Sequence, residues 1–245
     1  MTQNNPLFIE TIRWSDGKFH LLELHRRRME RTRLEVFGSA CGVPDLTWLP
    51  PVPENLKNQT VKCRVIYDIA IRSVEFEPYT QRKVGSLKIV DGGGIDYHLK
   101  YHDRSALSGL AGMRGDADEV IIVKDGFITD TSYSNLIFAA GDRLLTSDRP
   151  LLHGVMLSHL LESGKVSAAT LRPDDILPGN RYGITSAFMV NAMLPLDTAK
   201  PIDISNLHPG SHQGQKSVAY GCTRVSMFKS DCIRIKRLQS VFCPD

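Results

Sequence analysis

The sequence predicts an α+β protein built as two lobes. Segments that read as strands come in runs joined by short glycine turns, and helical segments stand in blocks between them rather than alternating with single strands. The pattern of segments changes near residues 100–116. We therefore divide the chain into a smaller N-terminal α/β lobe over residues 1–102, a larger C-terminal lobe over residues 103–200, and a tail of uncertain order over residues 201–245.

The elements of the first lobe follow from turn residues and from side-chain periodicity. The turn at residues 15–17 predicts a hairpin, and a helically spaced run that stops at Gly38 predicts a helix. On that helix, Met29, Leu34 and Phe37 are expected to share one face. The predicted elements are strands over residues 7–14 and 18–24, a helix over 25–38 and, after a proline-rich connection, strands over 61–69, 71–79 and 86–92.

The second lobe is expected to begin with a short helix and to continue as a meander of three or four strands. Turn clusters at residues 124–126 and 140–142 separate those strands. Leucines at helical spacing, followed by Gly164, predict a second helix. The predicted elements are a helix over residues 103–113, strands within 118–147, a helix over 154–164, a strand within 172–196 and, in the tail, a final strand over 231–242.

Composition and charge exclude several classes of protein. The chain is 42% hydrophobic and 23% charged, as in an ordinary globular protein, and no apolar run reaches the roughly 18–20 residues of a membrane helix. Five cysteines without a CxxC pair indicate neither a disulfide framework nor a zinc site, and the histidines fit no metal-ligand spacing. The net charge of +3 comes from the tail and lacks interleaved aromatic residues. We expect a cytoplasmic protein that binds no metal, nucleic acid or membrane.

Four motifs follow one another in an informative order. His25-x-x-Arg28-Met29 comes first, then Lys100 in "KYHDR", then "DGFITDTSYSNLIF" over residues 125–138, and then "LHGVM" over residues 152–156. This series resembles the fold-type IV pyridoxal-phosphate enzymes of the class IV aminotransferase family, among them aminodeoxychorismate lyase, branched-chain aminotransferase and D-amino-acid aminotransferase. The likeness spans roughly residues 7–200 and is closest to the lyase-like branch.

The resemblance implies a two-lobed, D-amino-acid-aminotransferase-like fold, here with a shortened N-terminal lobe, and a homodimer. It also implies a cofactor, pyridoxal 5'-phosphate, held as an imine by the catalytic Lys100. Lysine suits that task because burial or a neighbouring cation lowers its pKa. The implied cofactor-binding residues are Arg28, Lys100, Asp130, Asn135, Gly154, Val155, Met156, Asn191 and Ala192.

Individual roles follow from that set. Asp130 stands where the family usually has a glutamate that keeps the ring nitrogen protonated. The phosphate is expected to bind Arg28 and the N–H groups that begin the helix after Gly154. Leu157 stands where the family often has an arginine.

Three residues are candidates for binding the substrate. Arg64 is the best candidate for the substrate carboxylate, with Arg13 and Tyr67 as weaker ones. Each site residue also has an ordinary structural interpretation. Arg28 lies in a run of three arginines typical of a solvated helix face, and Asp130 is placed to cap a turn.

Two possible functions would use these site residues for catalysis, and a third would not. The first is an aminotransferase that acts on an amino acid and a 2-oxo acid, and its close alternative is a 4-amino-4-deoxychorismate lyase that releases pyruvate and 4-aminobenzoate. A non-catalytic relative that binds pyridoxal phosphate, or keeps only the scaffold, is the alternative from another class. A protein whose basic tail binds a partner ranks last.

Overall fold

The structure is a computed structural model that describes residues 5–39 and 46–210. Within those residues the chain forms three β-sheets and three α-helices. This mixture of antiparallel strands and helices agrees with the predicted α+β class. The final strand predicted over residues 231–242 lies outside the described residues.

The first sheet is antiparallel throughout. Buried and half-buried residues alternate along its third strand, from buried Val61 to buried Tyr67, so Lys62 and Arg64 share the other face. That strand pairs with the first one so that Arg64 lies opposite Thr11. In sheet order the strands are β2 (Lys18–Phe19), β1 (Phe8–Ser15), β3 (Val61–Tyr67) and β4 (Ile71–Pro78).

The hairpin predicted around residues 15–17 exists, but its second strand is much shorter than predicted. Leu21 has a left-handed φ of 56° and precedes the first residue of helix α1 (Leu22–Phe37). An extended strand does not pass through that conformation, so the predicted strand over residues 18–24 was wrong beyond Phe19. Helix α1 therefore begins three residues earlier than predicted.

Helix α1 ends where predicted and buries part of the predicted face. Gly38 takes the left-handed conformation, φ 70°, and its N–H donates to the Leu34 carbonyl, as glycine does at many helix ends. Met29 and Phe37 pack in the same core cluster, as predicted, but Leu34 is 58% exposed, so its predicted place on that face was wrong. The buried residues of the helix are His25, Arg28, Met29, Thr32 and Arg33.

Two further sheets follow, and each contains a parallel strand pair. In one of them β5 runs parallel to β6 and to β13. In sheet order its strands are β13 (Leu207–His208), β5 (Leu87–Asp91), β6 (Glu119–Lys124) and β7 (Phe127–Ile128). This sheet contains residues from both sides of position 102 and from beyond position 201. The predicted lobe boundaries after residues 102 and 200 stay predictions.

The third sheet packs against the last helix of the described chain. Helix α3 (Val155–Glu162) packs Met156 and Leu160 against Ile137 and Val190 of this sheet. Helix α2 (Ser105–Gly112) lies between β5 and β6 in the chain. In sheet order the strands are β10 (Ser167–Ala169), β9 (Arg143–Ser147), β8 (Asn135–Ala140), β11 (Ile184–Val190) and β12 (Ile202–Asp203). Among the described residues, no helix is long and apolar enough to cross a membrane.

Candidate active site

A cavity of about 730 Å³ collects most of the predicted site residues. Its walls come from the exposed face of the first sheet, from the segments around Lys100 and residues 130–135, and from the start of α3. The predicted residues that line it are Arg28, Arg64, Lys100, Asp130, Asn135, Gly154, Val155, Asn191 and Ala192.

Lys100 lies in the segment between β5 and α2, and its backbone is fixed to the first sheet. Its carbonyl accepts a hydrogen bond of 3.0 Å from the Ile9 N–H, and the neighbouring Tyr101 bridges to Phe8. Burial, reinforced by the positive charge of Arg28, lowers the pKa of the Lys100 amine to about 7. A lysine with this pKa is neutral for a substantial fraction of the time at neutral pH.

Arg28 lines the cavity but already has a carboxylate partner. Its Nε donates to Glu10 Oε1 over 2.9 Å and its Nη2 donates to Glu10 Oε2 over 2.5 Å, while His25 Nδ1 lies 2.6 Å from the same Oε2. Burial alone raises the pKa of Glu10, but Arg28 and His25 outweigh it and hold the pKa at about 2. Arg28 Nη1 makes no hydrogen bond to the described part of the chain.

Asp130 is the one acidic residue that lines the cavity within the described chain. Its Oδ1 accepts from Asn135 Nδ2 over 2.7 Å, and its Oδ2 accepts from the Leu152 N–H over 2.9 Å. Asn135 Nδ2 also donates to the Leu152 carbonyl over 2.9 Å, which closes a ring of three residues. Burial raises the pKa of Asp130 to about 7 despite these donors.

The same asparagine touches the start of α3. A Cβ at Gly154 would stand 2.1 Å from Asn135 Oδ1, so this close approach requires glycine. The N–H groups at the start of the helix have no partner inside the helix and suit an anion. Val155 lines the cavity, whereas the Met156 side chain packs in the core beside α3.

Asn191 and Ala192 lie at the cavity wall, in the turn after β11. The Asn191 N–H donates to the Leu194 carbonyl and its Nδ2 donates to Ser134 Oγ over 2.8 Å. Its Oδ1 accepts from the N–H groups of Met193 and Leu194. The Asn191 side chain thus organises the turn and fastens it to the segment that carries Asp130.

Of the three substrate candidates, the structure brings Arg64 alone into the cavity. Arg13 lies on the same face of the first sheet as Arg64. Its side chain donates to Ser15 Oγ and contacts His20 Nδ1, outside the cavity lining. Tyr67 is 1% exposed and packs against Phe8, again outside the lining.

Sequence reasoning missed several residues of the cavity. Lys62 lies two residues before Arg64, so the alternation of β3 was a usable signal for it. Arg82 comes from the segment between β4 and β5, which carries no local signal. Arg104 belongs to the lysine motif itself but was given no role. All three line the cavity, as does Tyr133.

The groups present fit pyridoxal phosphate, the cofactor that the motif order implies. The cavity offers an amine of lowered pKa, a buried carboxyl group, an arginine, and a helix N-terminus beneath which Gly154 leaves no room for a side chain. An aldehyde, a ring nitrogen and a phosphate are the groups that such a set binds.

Comparisons with known proteins agree with this geometry. The sequence pattern of Amino-transferase class IV matches residues 98–196. A Haemophilus influenzae protein, called simply "Uncharacterized protein", is 36% identical over 183 residues, which cover 74% of this chain and 97% of that protein.

Solved structures share the fold. A proposed 4-amino-4-deoxychorismate lyase from Haemophilus somnus 129pt superposes with a TM-score of 0.66 at 26% identity, covering 80% of this chain and all of that one. The PLP-bound form of a hypothetical aminotransferase from Mycobacterium tuberculosis superposes with a TM-score of 0.60 at 20% identity, covering 83% and 82%. The fold expected from the motif order is thereby confirmed, and the chain belongs to the class IV aminotransferase family, whose members depend on pyridoxal phosphate.

Proposed function

We propose that this protein is a pyridoxal-phosphate-dependent aminotransferase in which Lys100 binds the cofactor and transfers the proton. The observation that carries the proposal is the Lys100 amine, whose pKa is lowered to about 7 inside a cavity that also holds Asp130 and Arg28. A surface lysine with its ordinary pKa would be protonated at neutral pH and unable to act as a nucleophile or base.

The chain's own residues divide the work of binding. Arg28 Nη1 and the N–H groups of Val155 and Met156 are proposed to hold the phosphate. Asp130 is proposed to accept the ring nitrogen's proton in a hydrogen bond, with Asn135 and the Leu152 N–H fixing the direction of its carboxyl group. Arg64, on the wall formed by the first sheet, is proposed to bind the substrate carboxylate.

Lys100 is proposed to act as the base toward a bound substrate, through a free Nζ. When bound, pyridoxal phosphate stabilises the negative charge that develops at the substrate α-carbon. The free Lys100 Nζ would accept the α-proton and hold it within the cavity. Its lowered pKa leaves Nζ neutral for a substantial fraction of the time at neutral pH, as a base must be, without making it too weak to take the proton.

A second candidate function, 4-amino-4-deoxychorismate lyase, is favoured by one observation. The Haemophilus somnus structure described as a proposed enzyme of that kind is 26% identical and is covered over its whole length. Both reactions would use Lys100, Asp130 and Arg28 in the same way, and they differ in what leaves after the proton has moved.

The protein is also proposed to act on a small-molecule substrate as a homodimer. Large apolar side chains remain exposed on the described chain, including Leu34 at 58% and Met113 at 51%. Single exposed residues of this kind are ordinary on a protein surface, so the homodimer is proposed from the family resemblance. Sedimentation of the purified protein at several concentrations would test the dimer.

The experiment that tests the function is the absorption spectrum of purified protein, repeated after borohydride with peptide mapping. We expect a yellow protein in which the pyridoxyl group is fixed on the peptide containing Lys100. Lys100→Ala should lose that adduct, while the matched control Lys165→Ala, at an exposed lysine outside the cavity, should keep it.

Three outcomes decide among the alternatives. Amino-acid-dependent conversion of the bound cofactor, with ping-pong kinetics, supports the aminotransferase. Release of 4-aminobenzoate and pyruvate from aminodeoxychorismate supports the lyase. A loaded protein that performs neither reaction is the non-catalytic relative, and a protein that takes up no cofactor overturns the proposal.

A further inference from the structure

The cavity carries more positive charge than a cofactor phosphate and one carboxylate require. Six Lys or Arg side chains line it in the described chain, against the single carboxyl group of Asp130. Three carboxylates behind the lining, Glu10, Glu77 and Glu119, each contact one or two of these cations, and the cations still outnumber the acids. A cationic wall of this kind favours anionic ligands.

These cations form separate groups. Arg28 belongs with Glu10 and the proposed phosphate site. Lys62 and Arg64 share one carboxylate oxygen on the first sheet, since Lys62 Nζ lies 2.7 Å and Arg64 Nη1 3.8 Å from Glu77 Oε1. That pair is sufficient for the carboxylate next to the reacting amine.

Arg82 and Arg104 form a third group, which meets at the Ser132-Tyr133 turn. The Arg82 guanidinium lies over the Tyr133 ring, 5.4 Å from its centroid, and Arg82 Nη2 donates to the Asp118 carbonyl over 3.2 Å. Arg104 Nη2 donates to the Ser132 carbonyl over 2.7 Å. Both arginines are therefore held beside the same turn, two to three residues after Asp130.

The two arginines differ in how far their charge is already balanced. Arg82 Nη1 lies 3.5 Å from Glu119 Oε2, a buried carboxylate. Arg104 has no carboxylate within ion-pair distance in the part of the chain that the structure describes. An arginine that is oriented by a backbone carbonyl and lacks an acidic partner keeps donors free for a ligand carboxylate.

Resting on the proposed function, we infer that Arg82 and Arg104 form a second anion subsite, so that the substrate carries a second carboxylate remote from its reacting amine. This chemistry is shared by acyclic amino dicarboxylates and by aminodeoxychorismate, and the subsite accepts either source. The Tyr133 ring, which lies against the Arg82 guanidinium, lines the cavity beside this subsite. The subsite selects among substrates and takes no part in the proton transfer.

The test measures binding of glutarate and of its monoamide to the cofactor-loaded protein by titration calorimetry. The two probes differ in one charge, and neither carries an amine, so the measurement does not depend on turnover. Because Arg82 and Arg104 are largely solvent-exposed, screening limits each contact, and we expect glutarate to bind about tenfold tighter than the monoamide. Arg82→Gln and Arg104→Gln should each lower that ratio about threefold.

Two further variants control for folding and for charge. Arg143→Gln changes an exposed arginine of β9 outside the cavity and should leave the ratio unchanged. Arg82→Lys keeps a cation opposite buried Glu119. If Arg82→Gln lowers the ratio of glutarate to monoamide affinity because it loses a contact with the ligand, and not because the cavity misfolds, Arg82→Lys should restore that ratio.

The outcomes separate this inference from the proposed function. Equal binding of both probes by cofactor-loaded protein, or a ratio that neither glutamine variant lowers, overturns the subsite and leaves the function standing. A protein that takes up no cofactor but binds glutarate selectively overturns the function and leaves the subsite. Turnover of glutamate or of aminodeoxychorismate then identifies the source of the second carboxylate.

Discussion

Replacing Gly154 by alanine perturbs the network that joins Asp130, Asn135 and the start of α3. The backbone of Gly154 is extended, with φ −65° and ψ 146°, a conformation that alanine adopts without strain. The added methyl group would nevertheless stand 2.1 Å from Asn135 Oδ1. The substitution therefore tests a steric contact and not a special backbone conformation.

The cost follows from what holds Asn135 in place. To avoid the methyl group, its amide must give up hydrogen bonds to Asp130 Oδ1 and to the Leu152 carbonyl, at 2.7 and 2.9 Å. Overpacking costs about 1–3 kcal/mol and each lost hydrogen bond about 0.5–1.5 kcal/mol. We expect Gly154→Ala to lower the free energy of unfolding by about 3 kcal/mol.

Urea denaturation of the wild type and variants measures this cost. Gly109→Ala is the matched control, because nothing lies within 4 Å of a Cβ at that position in α2. Alanine replaces glycine in a helix there, so we expect no loss and a gain of up to about 1 kcal/mol. Cofactor affinity should fall in Gly154→Ala and stay unchanged in Gly109→Ala.

A double-mutant cycle supplies the refutation. Asn135→Ala alone should also lose about 3 kcal/mol, because it leaves one oxygen of buried Asp130 and the carbonyl oxygen of half-buried Leu152 without this donor. With that side chain gone, the methyl group at position 154 fits, and the double variant should be no less stable than Asn135→Ala. Additive losses, or a stable Gly154→Ala protein, would refute the reasoning.

Three further predictions concern titrating groups. Glu10→Gln leaves Arg28 buried without its partner and should cost about 3 kcal/mol of unfolding free energy at neutral pH. Because the pKa of Glu10 is held at about 2, wild-type stability should fall as pH drops from about 4.5 to about 2, and thermal melts of Glu10→Gln should lack that component. Asp130→Asn should slow single-turnover conversion at least about 100-fold, with Asp142→Asn as the exposed control. His98 has a raised pKa because of its carboxylate hydrogen bonds, so its stabilising contribution should be present below pH 6.5 and disappear above the raised pKa, a difference that melts of His98→Gln should reveal.

The order of motifs predicted most of the side chains that meet in the cavity, because each motif carries a local signal. Lys100, Asp130 and Gly154 each lie within a run of residues whose spacing fits one element of structure. The strands β3 and β6 were likewise evident from alternating or continuous apolar residues. Such signals depend on neighbours in the chain and survive without knowledge of the fold.

The sequence alone did not predict contacts between residues that lie far apart in the chain. The partner of Arg28 is Glu10, 18 residues earlier on another element, and no periodicity links the two. Leu21 was read as part of a strand, yet it adopts a left-handed conformation directly before the first residue of α1, and no local pattern in the sequence marks that change. Arg13 has the strand face expected for a cavity residue, but local partners hold it elsewhere.

The lysine that the site depends on should weaken the fold that carries it. Burial lowers the pKa of Lys100 from 10.5 to about 7, so at neutral pH the unfolded chain binds more protons at this residue than the folded one. Stability should therefore rise as pH increases from about 7 to about 10.5. Lys100→Met removes the desolvated amine and should raise the free energy of unfolding of cofactor-free protein by at least about 1 kcal/mol at neutral pH.

The advantage of Lys100→Met should shrink through that same pH interval, because the wild-type penalty disappears as the unfolded lysine also loses its proton. Lys165→Met, at an exposed lysine, should follow the wild type at every pH. If Lys100→Met were less stable than the wild type throughout, the amine would be contributing to the fold. The low pKa of Lys100 would then reflect burial that serves the packing of the fold and not burial that serves catalysis.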